Sequence, residues 1–277
     1  MTEAPRLMSG ELSGDIWLSP ADRLRYLARN ARRNIFAARR IPASRFFTPE
    51  PSRARVTADG QSPARLLTEL FLESELPRLV GGREVIVLEL GCGSGSMAAR
   101  LSRLGFCGRY IGIDIQDRFN PEQTKGLPLK AEFNQSDAHA FNPSEKADLL
   151  LSVSTLEHIP DDATLIARLP AWLNPGAVEI HVVPSGASLG LYLWHGFRQY
   201  TPAALAEKFG PRIDVVRLGG FASYLLHLTF ITFPDLALRR SFRKAMPGIY
   251  RHLLLAALRA DRLLPIFPSA YAVIRRH

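Results

Sequence analysis

Residues 85–95 read VIVLELGCGSG, and no other segment constrains the fold as much. Val85–Leu90 is an almost unbroken apolar run, as a strand buried on both faces requires. The glycine-rich turn Gly91–Gly95 follows, and then a helical stretch from Ser96 to about Leu104. The same alternation continues down the chain. Strands are expected at 110–113, 131–135, 148–153, 177–183, 213–218 and 271–274, with helices at 162–173 and 202–209. Thr201-Pro202 suits a helix start and Gly210 its end. Such alternation implies a mainly parallel sheet with helices on both faces. In an open sheet of this kind, ligands bind beyond the carboxyl ends of the strands, where this glycine turn lies.

A chain of 277 residues is long enough for one large α/β domain with additions. Two cysteines make neither a disulfide framework nor a zinc site, and no other spacing suggests a metal; a reducing cytoplasm is the expected setting. The first twenty residues lack a secretory pattern, and the apolar stretch 222–233, interrupted by His227, is too short to span a bilayer. The formal charge is +9 and unevenly placed. Residues 236–277 carry nine Lys/Arg against one Asp/Glu, and residues 1–60 carry eleven against six. Basic ends of this kind suit anionic partners, or simply solubility.

The glycine spacing separates two nucleotide sites. A dinucleotide turn wants a third glycine where this chain has Ser96. Here Glu89-Leu90-Gly91-Cys92-Gly93-Ser94-Gly95 resembles motif I of the class I S-adenosylmethionine-dependent methyltransferases. Asp114 ends YIGID, Ser136-Asp137-Ala138 follows the third strand, DLLLSVSTLEHIPDD spans 148–162, and Leu173-Asn174-Pro175-Gly176 precedes the fifth strand. Each is similar to the corresponding family element, in the same order. The resemblance implies a Rossmann-like α/β fold with a mainly parallel seven-stranded sheet flanked by helices. It also implies S-adenosyl-L-methionine as cofactor, bound by Glu89, Gly91, Cys92, Gly93, Gly95, Asp114, Ile115, Asp137, Ala138 and Ser152. Asp114 would accept from the ribose hydroxyls and Asp137 from the adenine amino group.

His158, in Leu156-Glu157-His158, is the candidate general base, because imidazole titrates near neutrality; packing over the cofactor is the competing role. Trp194–Tyr200 resembles an H-x-x-R-x-Y-T segment near the family's acceptor site, so His195, Arg198 and Tyr200 are candidate acceptor-binding residues. Nucleic acid is disfavoured as acceptor. Ser152-Val153-Ser154-Thr155 stands where base-amine methyltransferases carry a Pro-Pro element, and neither cysteine is placed as a nucleophile. The expected activity is methyl transfer, on oxygen, to a small-molecule, lipid-linked or saccharide acceptor. A non-catalytic cofactor-binding regulator and an RNA methyltransferase are the alternatives.

Two regions exceed the minimal fold. Residues 1–60 should hold a basic helix, opened by Ser19-Pro20 with Leu24, Leu27, Ala31 and Ile35 as its apolar stripe, and a Pro-rich connector. The methyltransferase domain would then occupy 61–277, with a second helix at 63–80 and a helical, apolar insertion at about 221–268 before the last strand. This insertion and the basic helix suggest a lid, a structural cap, or a surface that meets an anionic membrane at its inner face.

Overall fold

The computed structural model describes residues 11–36, 44–47, 49 and 61–277. Eight strands form one sheet: β1 (Ser44–Phe47), β2 (Glu84–Leu90), β3 (Cys107–Asp114), β4 (Leu129–Gln135), β5 (Ala147–Val153), β6 (Leu173–Pro184), β7 (Asp214–Leu218) and β8 (Ala270–Arg276). Their order is β1-β7-β8-β6-β5-β2-β3-β4. β8 runs antiparallel to β6 and β7, and every other pairing is parallel. The seven expected strands are all present. The eighth, β1, lies within the stretch read as an irregular connector. It pairs with β7 from Ser44↔Val215 to Phe47↔Leu218, so residues N-terminal to 61 belong to the sheet. Four residues are too few to show a period in sequence. Arg39, Arg40 and most of the Pro-rich connector lie outside the described residues.

Helices cover both faces: α1 (Pro20–Phe36), α2 (Pro63–Leu79), α3 (Ser96–Arg103), α4 (Asp162–Arg168), α5 (Leu189–Tyr192), α6 (Pro202–Phe209), α7 (Phe221–His227), α8 (Phe242–Ala245) and α9 (Pro247–Ala260). Strand alternation sends Val85, Val87, Leu149 and Leu151 to one core with Phe71, Leu101 and Leu254. Leu88, Leu90 and Leu150 go to the other, with Ile166, Trp172, Leu205 and Phe209. Each such buried side chain contributes about 1.5–3 kcal/mol, which fixes the strand register. The caps follow the sequence: Ser62 Oγ accepts from Arg65 N, and Thr201 Oγ1 from Ala204 N.

Two expectations are corrected. The inner face of α1 is Tyr26 and Asn30, both buried, while Leu24 and Ile35 are over two-thirds exposed. The helix docks through polar contacts instead of an apolar stripe: Tyr26 Oη donates to His195 O at 2.7 Å and Asn34 Nδ2 to Gly186 O at 3.1 Å. The apolar stretch of the insertion is also longer than expected. α7 continues through π-helical turns at Leu228–Thr232 and Pro234–Leu238, making one helical stretch, Phe221–Leu238, apolar and long enough to cross a membrane. The second widened turn begins at Pro234, which has no N–H to give to a regular turn. One face of this helix is packed on the domain, where Thr232 Oγ1 donates to Leu191 O at 2.7 Å.

Candidate active site

The turn after β2 is tied to the end of β3 by backbone. Gly91 and Cys92 N–H groups both donate to Ile113 O, at 2.7 and 3.0 Å. Gly91 has φ +68°, and a Cβ there would lie 2.3 Å from Thr155 Oγ1, so neither the conformation nor the space admits a side chain. Asp114 ends β3 with its carboxylate oriented by two N–H groups. Gly93 N donates to Oδ2 and Gln116 N to Oδ1, both at 2.9 Å. Ser136 N donates to Asp114 O at 3.0 Å, which sets the loop after β4 beside the loop after β3. On that second loop Asp137 is exposed and caps its own turn, His139 N reaching Oδ1 at 2.8 Å, with Ala138 next to it. Ile115 is an exposed apolar side chain between them. The structure therefore gathers the glycine turn, Asp114, Ile115, Asp137 and Ala138 at one sheet edge.

Glu89 and Cys92 lie inward of that edge. Burial, reinforced by the Asp114 carboxylate, pushes the Glu89 carboxyl up to about 8, although the Tyr110 hydroxyl donates to it. Burial and the same carboxylates push the Cys92 thiol up to about 12, so it is no nucleophile. Ser152 is placed differently from expectation. It is fully buried on the opposite sheet face, its Oγ 2.6 Å from His181 Nδ1, within a network that continues to Glu179, Arg275 and His277. Its hydroxyl is committed there and not to a cofactor.

The loop after β5 brings a second group of residues against the glycine turn. Thr155 Oγ1 donates to Leu90 O at 3.1 Å, and the short 3-10 turn Leu156–His158 follows directly. His158 Nδ1 lies 2.7 Å from Asp15 Oδ2, 143 residues away in sequence. Its ring stands edge-on to His195, with centroids 4.6 Å apart. Glu157 Oε1 lies 3.9 Å from His158 Nε2 and 3.8 Å from His195 Nε2. Glu157 is fully buried, and neither of its oxygens has a hydrogen-bond partner.

Electrostatics make Asp15 and His158 a pair. Burial alone would raise the Asp15 carboxyl, but hydrogen bonds from His158 and Gly196 N hold it down to about 2. It is therefore an acceptor only, and neutral His158 must carry its proton on Nδ1 and its lone pair on Nε2. Burial would lower the His158 imidazole, yet the Asp15 bond and the Glu157 charge raise it above its ordinary value. Donor atoms of Asp15, His158 and His195 also lie within 4.8 Å of one another, a spacing that suits a divalent cation, which sequence spacing did not suggest.

Residues 53–238, more than half of the chain, match the family described as a methyltransferase domain. The chain belongs to the class I S-adenosylmethionine-dependent methyltransferases. Curated relatives of this methyltransferase include a ubiquinone biosynthesis O-methyltransferase of Paramagnetospirillum magneticum, 34% identical over 98 residues, or 33% of this chain and 37% of that protein. Another is a trans-aconitate 2-methyltransferase of Azoarcus sp., 33% identical over 92 residues, or 33% of this chain and 36% of that one. The chain thus spans little more than a third of the length of these relatives. In fold it is similar to the solved [4+2]-cyclase SpnF, with TM-score 0.52 at 17% identity, covering 92% of this chain and 91% of that one. It is likewise similar to coclaurine N-methyltransferase, with TM-score 0.50 at 13% identity, covering 95% and 89%. The carboxyl edge of the methyltransferase fits the family's cofactor: a turn with no room for a Cβ at Gly91, and a carboxylate already oriented by two backbone N–H groups at Asp114.

Two expected acceptor residues are corrected. Tyr200 is fully buried and donates to Asp162 Oδ2 at 2.8 Å. Arg198 bridges Asp162, at 2.6 Å, and Glu11, and donates to Ile159 O. Both are fastenings; their residues line a groove of about 1350 Å³ between α1, α4 and α6 that contains none of the glycine-turn residues. His195 alone of the three reaches the Glu157–His158 corner. Asp15 and Glu157 were missed by sequence reasoning. Asp15 sits in a short irregular stretch, and Glu157 reads as part of the loop motif until its unpaired oxygens are seen.

Proposed function

We propose that this methyltransferase transfers a methyl group from S-adenosylmethionine to a hydroxyl of a small polyhydroxylated acceptor, saccharides included. The observation that carries the proposal is the Asp15–His158 pair, with His195 beside it, next to the glycine turn. Glu157 is fully buried behind the pair, its Oε1 3.9 and 3.8 Å from the Nε2 atoms of His158 and His195.

The residues divide the work. Gly91, Gly93 and Asp114 hold the cofactor, which supplies a methyl group activated by the positive sulfur. His195 orients the acceptor, and His158 Nε2 takes the hydroxyl proton. Asp15 holds the imidazole in the required tautomer. Positioning supplies about 7–11 kcal/mol of barrier lowering and a general base about 10²–10⁴-fold in rate. The named activities of the relatives, on ubiquinone precursors and trans-aconitate, support a small-molecule acceptor.

The test is incubation with methyl-labelled S-adenosylmethionine and cell extract, fractionated into small-molecule, glycan, lipid and nucleic-acid pools. Label in alkali-stable ether form in the first three supports the proposal. Label confined to nucleic acid, or none at all, contradicts it. Loss of transfer on chelation, with recovery on adding a divalent cation, would assign the Asp15–His158–His195 corner to an ion and not to a base.

A further inference from the structure

Exposed apolar side chains are concentrated in one part of the molecule. Of the seventeen large hydrophobic residues exposed among the described residues, twelve lie in 221–267. Their densest group is the loop 262–267, which reads RLLPIF. Leu263 is 83% exposed, and Leu264, Ile266 and Phe267 are each about half exposed. Phe221 N donates to Leu264 O at 3.0 Å, and the Phe221 and Phe267 rings lie 6.3 Å apart, so the first turn of α7 continues the same patch. Leu225, one turn further on, is exposed as well.

This loop is held outward by design of its flanks. Phe267 has φ +55°, a conformation unfavourable for an aromatic residue and more so before Pro268. The residues after it enforce that geometry. Pro268 O accepts from Ser185 Oγ, and Ser269 N donates to Leu218 O at 3.0 Å. Strain of this sort persists only where the surroundings over-determine it, and here it keeps apolar side chains in solvent. Ser185 and Leu218 follow or end β6 and β7, so the loop springs from the same carboxyl edge that bears the glycine turn.

The exposed charged residues that lead into the loop are basic. Arg259 and Arg262 are exposed at its start, and Arg217 donates to Pro265 O at 3.3 Å. Asp261, the one acidic residue in 236–277, is buried and takes the Ser223 N–H at 2.9 Å. An apolar tip with a basic collar matches the headgroup boundary of an anionic bilayer: the hydrocarbon side chains enter and the guanidinium groups meet phosphates. A nucleic acid would use the collar and leave the tip in water. A second copy of the chain would bring like charges together.

We propose that the loop 262–267, with Phe221 and Leu225, seats this protein on an anionic membrane surface, with the carboxyl edge of the sheet toward the lipid. The test is flotation of the full chain with vesicles of phosphatidylcholine, with and without phosphatidylglycerol, at low and high salt. The expected result is co-flotation with the anionic vesicles, weakened by salt. Leu263→Ser/Ile266→Ser should bind about tenfold more weakly or worse, while its S-adenosylhomocysteine affinity, read by calorimetry, stays unchanged and shows that it folds. Absence of co-flotation at low salt overturns the proposal. So does binding that the double variant leaves intact, or association with nucleic acid or with itself in place of vesicles.

Discussion

Around the glycine turn the protein is held by its backbone. Gly91, Cys92 and Gly93 N–H groups reach Ile113 and Asp114, at most 22 residues away, and the two loop tips are joined through Ser136 N. Around His158 it is held by side chains that meet across the whole chain: Asp15 to His158 across 143 residues, Asp15 to Gly196 across 181, Glu11 to Arg198 across 187. The first region is set by its glycines and by one aspartate that two backbone N–H groups orient. The second is a corner whose chemistry depends on an N-terminal segment lying in place. Gly14 shows how closely it lies: its N–H donates to Gly196 O at 2.7 Å, and a Cβ there would come within 2.4 Å of His195 N. On the proposed function, cofactor binding and acceptor choice should therefore be separable.

That separation can be broken by substitutions that cross it. His158→Ala should lower turnover by about 10²–10⁴-fold with little change in cofactor affinity. A matching loss of S-adenosylhomocysteine binding in calorimetry would merge the two regions. Asp114→Ala should do the reverse and weaken cofactor binding by about 10- to 100-fold, through the loss of hydrogen bonds to a charged acceptor. Turnover at saturating cofactor should then be far less affected than in His158→Ala. Glu89 gives the smallest signal. Its carboxyl sits at about 8 in the free protein and so holds a proton at pH 7. A cationic ligand nearby favours the ionised form, so the carboxyl pKa falls and cofactor binding at pH 7 should release a fraction of one proton. Titrations in buffers of different ionisation enthalpy measure this; the release should vanish in Glu89→Gln.

The cofactor region was legible in sequence because it is local. Glu89 to Gly95 is one strand and one turn, Asp114 ends the next strand and Asp137 follows the one after, so strand periodicity together with the resemblance to the family's ordered motifs placed them together. Ser152 was misplaced because strand alternation, not motif position, decides which face a side chain takes, and Ser152 points to His181. Arg198 and Tyr200 have the residue types of an acceptor site, but Asp162 and Glu11 claim their polar atoms. Asp15 could not be read at all, since nothing near it in sequence marks the histidine it meets. The four-residue β1 shows the same limit: its partner β7 lies about 170 residues away.

The Asp15–His158 pair is the central claim, and its pH profile tests it most directly. The raised His158 imidazole must be neutral to act as a base, so turnover should fall as pH drops through a value above that of an ordinary imidazole. Asp15→Asn keeps an acceptor oxygen but removes the negative charge that helps raise it. The acidic limb should then shift to lower pH and the plateau should drop about tenfold or more, with S-adenosylhomocysteine affinity unchanged. An unshifted limb and an unchanged plateau in Asp15→Asn would contradict the account.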